Sequence, residues 1–97
     1  DLSDIALTVK HHHEWWNGAG YPDGLKGDKI PLGSQIISIC DAVSTMAKKR
    51  PYTIEKTSKE IIEELKLYSG VQFSPEPTKH MIKYIEEGYL DRYYKNR

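Results

Sequence analysis

The sequence predicts an all-α fold, a bundle of about four to five helices with one long Gly-rich loop. Apolar residues recur at three- and four-residue steps through most of the 97-residue chain. Helix start and stop signals fall between those runs: Thr57-x-x-Glu60, Ser74-Pro75, Gly70 and Gly88. No stretch alternates apolar and polar residues in the manner of a half-buried strand.

The first helix is expected over residues 1–16. Ser3 and Asp4 suit an N-terminus, and Leu2, Ile5, Ala6 and Val9 form a stripe that runs into His12, His13 and Trp16. Successive helical residues lie about 100° apart. His11, His12 and His13 therefore cannot all face one way, and His11 is the one expected to face elsewhere. Residues 17–31 read as a loop, with four glycines and two prolines. A connection of that length in a small domain points to function. Leu25 and Ile30 are expected to anchor it.

Residues 32–97 hold the remaining helices and the tail. Ser34 is a reasonable N-cap for a helix reaching about Lys49. Ile36, Ile39, Cys40, Val43 and Met46 or Ala47 form its broad apolar face, so Cys40 is expected to be buried. Asp41 lies beside that face, where a carboxylate needs a partner or a metal. Lys48, Lys49 and Arg50 close the helix at its negative end, and Pro51 stops it. Thr57 opens a capping box for the next helix, which Gly70 closes. Ser74-Pro75 starts another, ended by Gly88, and a tyrosine-rich tail follows.

Fourteen basic and fourteen acidic residues balance. That argues against a surface built to hold bulk nucleic acid, which is basic overall. The single cysteine excludes an intrachain disulfide. No apolar run has the length of a membrane span, and no signal peptide is visible. The expected location is cytoplasmic.

Chemistry concentrates in His11-His12-His13-Glu14-Trp15-Trp16-Asn17-Gly18-Ala19-Gly20-Tyr21-Pro22. Neutral imidazole is the commonest metal ligand. A double histidine by itself also fits a surface or capping pair, and Asp41 by itself also fits a salt bridge to a lysine or arginine. In order along the chain, His12-His13-Glu14, Gly18-x-Gly20-Tyr21-Pro22, Gly24-Leu25-x-Gly27, Ile30-Pro31, Asp41 and Arg50-Pro51-Tyr52 resemble the HD-GYP family. That family is a branch of the HD superfamily of metal-dependent phosphohydrolases, and its members degrade the bacterial second messenger cyclic di-GMP. A weaker match continues through Ser69-Gly70-x-x-Phe73-x-Pro75.

The resemblance implies that residues 1–97 form a partial domain, the C-terminal half of an HD-type helical domain. The family's His-Asp pair is expected upstream of Asp1, so the isolated chain is expected to be inactive. His12, His13 and Asp41 become the metal ligands of the parent site, holding a divalent metal, iron or manganese first. Such a metal polarises a phosphodiester and lowers the pKa of bound water. Gly20, Tyr21, Pro22 and Arg50 become substrate-binding residues. Arginine suits phosphate because its planar fork donates two hydrogen bonds at once. Glu14 has two readings, orienting the imidazoles or tying the loop to the helix, and the second is preferred.

Four positions depart from the family pattern. Asn17, Ser44 and Ser74 stand where aspartates are common, and Thr53 stands where a basic residue is frequent. The implied function is part of a cyclic di-GMP phosphodiesterase. The alternative is a non-catalytic module that binds cyclic di-GMP, or a partner signalling domain, through the Gly-Tyr-Pro loop. An apolar face left by the missing half predicts a homo-oligomer.

Overall fold

The computed structural model describes residues 2–48 and 56–94. Five helices follow in order: α1 (Leu2–Lys10), α2 (Leu32–Ala47), α3 (Ser58–Tyr68), α4 (Pro75–Glu86) and α5 (Tyr89–Tyr93). A single 3₁₀ turn, Gly27–Lys29, lies in the loop between α1 and α2. Among the described residues there is no strand, only an isolated bridge between Ser69 and Phe73.

One side of α2 forms the floor of the core. Ile39, Val43 and Ala47 meet Ile61 and Leu65 of α3, Phe73, Ile85 of α4 and Leu90 of α5, and all are buried. These α2 residues are four apart, the spacing that stacks side chains on one face. The start of α3 is held by a reciprocal cap, in which Thr57 Oγ1 accepts from Glu60 N and Glu60 Oε1 accepts from Thr57 N. The Thr57 amide donating to the Glu60 carboxylate, helped by the Thr57 hydroxyl beside it, holds that carboxyl below its usual range. Pro75 opens α4 at a position where no amide hydrogen is needed. Gly88 turns the chain from α4 into α5 with φ of 86°, a left-handed conformation suited to glycine.

Three expectations change. The first helix ends at Lys10 instead of 16: the amides of His12 and Glu14 tighten into turns, and Trp16 N and Asn17 N donate to the carbonyls of Gln72 (3.0 Å) and Val71 (2.9 Å). None of its residues is buried, and Leu2 is 81% exposed, so the apolar stripe does not face the core. Second, Ser34 is not an N-cap. The second helix begins at Leu32, and the buried Ser34 hydroxyl donates to the Thr8 carbonyl at 2.7 Å, fastening α1 to α2. Third, Cys40 is exposed, because the buried face of α2 is narrower than its apolar face.

Candidate functional site

Three hydrogen bonds carry the chain out of α1. His11 N donates to Leu7 O, His12 N to Val9 O and Glu14 N to His11 O. The double histidine is thus presented on a turn beyond the helix end. The two bonds from Trp16 and Asn17 to the α3–α4 junction fix that turn from the other side.

His12, His13 and Asp41 line one cleft of about 290 Å³, together with Trp15, Ser38 and Glu64. The His12 Nδ1–H donates to the Val9 carbonyl, which leaves Nε2 as the nitrogen with the lone pair. Backbone anchoring of one ring nitrogen is the usual way a metal-binding imidazole is oriented. The His13 ring lies against His12 at 3.9 Å and stacks on Tyr21 at 5.0 Å, with 18° between the planes. Among the described residues, neither the His13 ring nor the Asp41 carboxylate is engaged in a hydrogen bond or ion pair. The cleft brings two imidazoles and a carboxylate to one surface, but among the described residues His12, His13 and Asp41 do not form a group whose donor atoms lie within 4.8 Å of one another. Glu64, half-buried on α3, adds a carboxylate that the sequence reading did not anticipate.

A second group fastens the loop. Glu14 is 3% exposed, and its two oxygens accept from Asp23 N and Leu25 N, each at 2.9 Å. His11 is 5% exposed. Its Nδ1 donates to the Leu7 carbonyl at 3.0 Å, and its Nε2 lies 2.8 Å from Asp23 Oδ2. Lys10 Nζ is 3.6 Å from the same oxygen. The His11 hydrogen bond, helped by the Lys10 charge, holds the Asp23 carboxyl below its usual range. His11, Glu14 and Asp23 also bring one donor atom each within 4.8 Å of one another, close enough to share a metal. The hydrogen bonds already engage both Glu14 oxygens, both His11 nitrogens and Asp23 Oδ2. Asp23 was missed from the sequence, since a pairing across twelve residues of loop leaves no periodic signal.

The substrate residues expected from the sequence take different places. Tyr21 is 61% exposed and stands over His13. Pro22 is exposed beside it, after a cis peptide bond. Gly20 passes so close to the turn that a Cβ there would sit 2.5 Å from His13 O and 2.7 Å from Glu14 C. Arg50 lies outside the described residues, as does Thr53. At the departure Asn17, the neutral side chain is sufficient for the local turn, because its Oδ1 accepts from Ala19 N at 2.9 Å.

Known proteins are similar to this chain in sequence and fold. Residues 1–76 match the family model described as HD domain. A cyclic di-GMP phosphodiesterase of Thermotoga maritima is 37% identical over 95 residues, which cover 98% of this chain and 25% of that protein. A 3′3′-cGAMP-specific phosphodiesterase 2 of Vibrio cholerae is 37% identical over 84 residues, 87% of this chain and 16% of its own. The crystal structure of a cyclic GMP-AMP specific phosphodiesterase of V. cholerae superposes with a TM-score of 0.74 at 26% identity, over 89% of this chain and 19% of that one. The chain therefore spans about a quarter or less of the length of these relatives. No described helix is long and apolar enough to cross a membrane. A family model matched over most of the chain, relatives that are cyclic-dinucleotide phosphodiesterases, and a Gly-Tyr-Pro loop seated on a double histidine lead to one assignment: the chain belongs to the HD domain family, in its HD-GYP branch.

Proposed function

We propose that this chain is part of a metal-dependent phosphodiesterase that hydrolyses cyclic di-GMP. The observation that carries the reading is the shared cleft of His12, His13 and Asp41, with the exposed Tyr21 ring stacked on His13. His12 Nε2, an imidazole nitrogen of His13 and the Asp41 carboxylate would hold a divalent metal, iron or manganese first. Bound there, the metal supplies charge to polarise a phosphodiester and to acidify water. Tyr21 offers an aromatic face at the edge of the cleft, suited to stacking a purine. Arg50, beyond the C-terminal end of α2, is assigned to a phosphate oxygen. Glu14 and His11 keep the loop in place and take no part in metal binding. The apolar side of α1, which covers none of the core, is assigned to association with a further helical surface, a second copy included.

The test compares His13→Ala and Arg50→Ala in the full-length protein. His13→Ala should lose bound metal and turnover while retaining part of the affinity for cyclic di-GMP. Arg50→Ala should keep the metal and lose ~1.5–3 kcal/mol of dinucleotide affinity, the range for hydrogen bonds to charged groups. Lysine at 50 should rescue only partly, since it restores charge without the fork. Unchanged affinity in Arg50→Ala would refute the arginine assignment. Because one relative is named for 3′3′-cGAMP, both dinucleotides should be assayed.

A further inference from the structure

We propose that the buried His11, paired with Asp23 and assisted by Glu14, is a positioning device that sets the Tyr21 loop over the histidine-bearing turn and thereby controls substrate capture. The inference rests on the phosphodiesterase reading and adds residues to which that reading gives no part in the reaction. Three contacts bracket Tyr21. On its N-terminal side Gly20 lies against the backbone of residues 13–15. At Tyr21 itself the amide reaches His13 O at 3.3 Å, a long hydrogen bond. On its C-terminal side Asp23 is held twice, through its amide by Glu14 and through its carboxylate by His11.

The tether is asymmetric in burial. His11 and Glu14 are buried, while Asp23 is exposed and reaches inward from the loop. The fixed partners belong to the segment that also carries His12 and His13, so the loop is referenced to the metal-binding turn and not to the helical core. Among the described residues, Asp23 carries the ion pairs of the loop. Removing its carboxylate takes away the His11 and Lys10 contacts, while Glu14 still accepts from the amides of residues 23 and 25, so the loop is loosened on one side of Tyr21 and not freed. The ring then spends less time in the capturing position, and apparent affinity falls in proportion to the competent fraction.

The experiment uses the full-length, metal-loaded protein with Asp23→Ala and Asp23→Asn. Asp23→Ala should raise KM for the dinucleotide roughly five- to tenfold, corresponding to a competent fraction near one fifth to one tenth. kcat should stay within about twofold and metal content should be unchanged, because the cleft residues are untouched. Asp23→Asn keeps an acceptor for His11 and should fall between wild type and Asp23→Ala. Hydrogen exchange gives a readout that needs no substrate. Amides of residues 21–25 should exchange at least about tenfold faster in Asp23→Ala, with α3 amides unaffected. An unchanged KM overturns the proposal. So does a parallel loss of kcat, metal and melting temperature with KM constant, which marks a purely structural role. A wild-type protein that turns over neither dinucleotide fails the phosphodiesterase reading instead, and the inference falls with it.

Discussion

Gly20→Ala should be among the most damaging single-methyl additions to this chain, and the reason is steric alone. Gly20 is not one of the positive-φ glycines, so alanine meets no conformational penalty there. Its Cβ would instead stand 2.5 Å from His13 O and 2.7 Å from Glu14 C, and closer still to Trp15 N. These are backbone atoms and cannot rotate away. Ordinary contact begins near 3.4 Å, so the strands of loop and turn must part by about 0.9 Å at His13 O. That displacement stretches the Tyr21–His13 amide contact, already 3.3 Å, beyond hydrogen-bonding length. Overpacking costs ~1–3 kcal/mol when neighbours can adjust, and the upper part of that range is expected here. Gly33→Ala is the matched control. Its Cβ would lie 3.0 Å from Thr8 Cγ2, a side-chain methyl that can move. It also gains roughly 1 kcal/mol of helix propensity inside α2, so its net effect should be small. The assay is urea denaturation of both variants, followed by tryptophan fluorescence. A Gly20→Ala midpoint equal to that of Gly33→Ala would refute the close-approach argument.

Further outcomes follow from the same structure. Thr57→Ala should destabilise by ~1 kcal/mol through loss of the cap on α3. The Glu60 carboxyl is depressed from its ordinary value of 4.5 in the fold, so its stabilising contribution is complete above that value and is lost as pH falls through the lower folded value. Glu60→Gln should flatten that part of the acid denaturation curve. Leu65→Ala, fully buried between α2 and α4, should cost ~2–5 kcal/mol in chemical denaturation. Leu2→Glu with Val9→Glu, both on exposed α1 positions, should lower the association state in sedimentation with little change in thermal midpoint; unchanged association would exclude α1 as an interface.

Features with a local cause were legible in the sequence. The α3 start at Thr57, the α4 start after Ser74 and the Gly88 stop are each written in a few adjacent residues, and each appears where expected. The tie from Glu14 to the loop, the preferred of its two readings, is present. What could not be read depends on partners far along the chain. The apolar period continues through His12 and Trp16, but the helix stops at Lys10: the amides of His12 and Glu14 tighten into turns, and those of Trp16 and Asn17 go to the carbonyls of Gln72 and Val71. Ser34 has the chemistry of a cap, yet its hydroxyl serves Thr8, twenty-six residues earlier. Cys40 lies on the apolar side of α2 but falls outside the sector that the other helices cover. For the site, His12, His13 and Asp41 were singled out from motif chemistry, whereas Glu64 and the His11–Asp23 pair emerge only when elements distant in sequence meet.

The two hydrogen bonds that hold the histidine turn to the α3–α4 junction join main chain to main chain. Such bonds are indifferent to side-chain identity. Val71 is exposed, and both it and Gln72 contribute only carbonyls to this link, which every residue type possesses. The anchorage can therefore persist while those two positions drift through many amino acids. Proline is the exception at all four positions: at 16 or 17 it deletes the donated hydrogen of one of the two links, and at 71 or 72 it deletes an amide that donates to the Tyr68 carbonyl. A variant library at 71 and 72 should record broad tolerance with a sharp intolerance of proline alone.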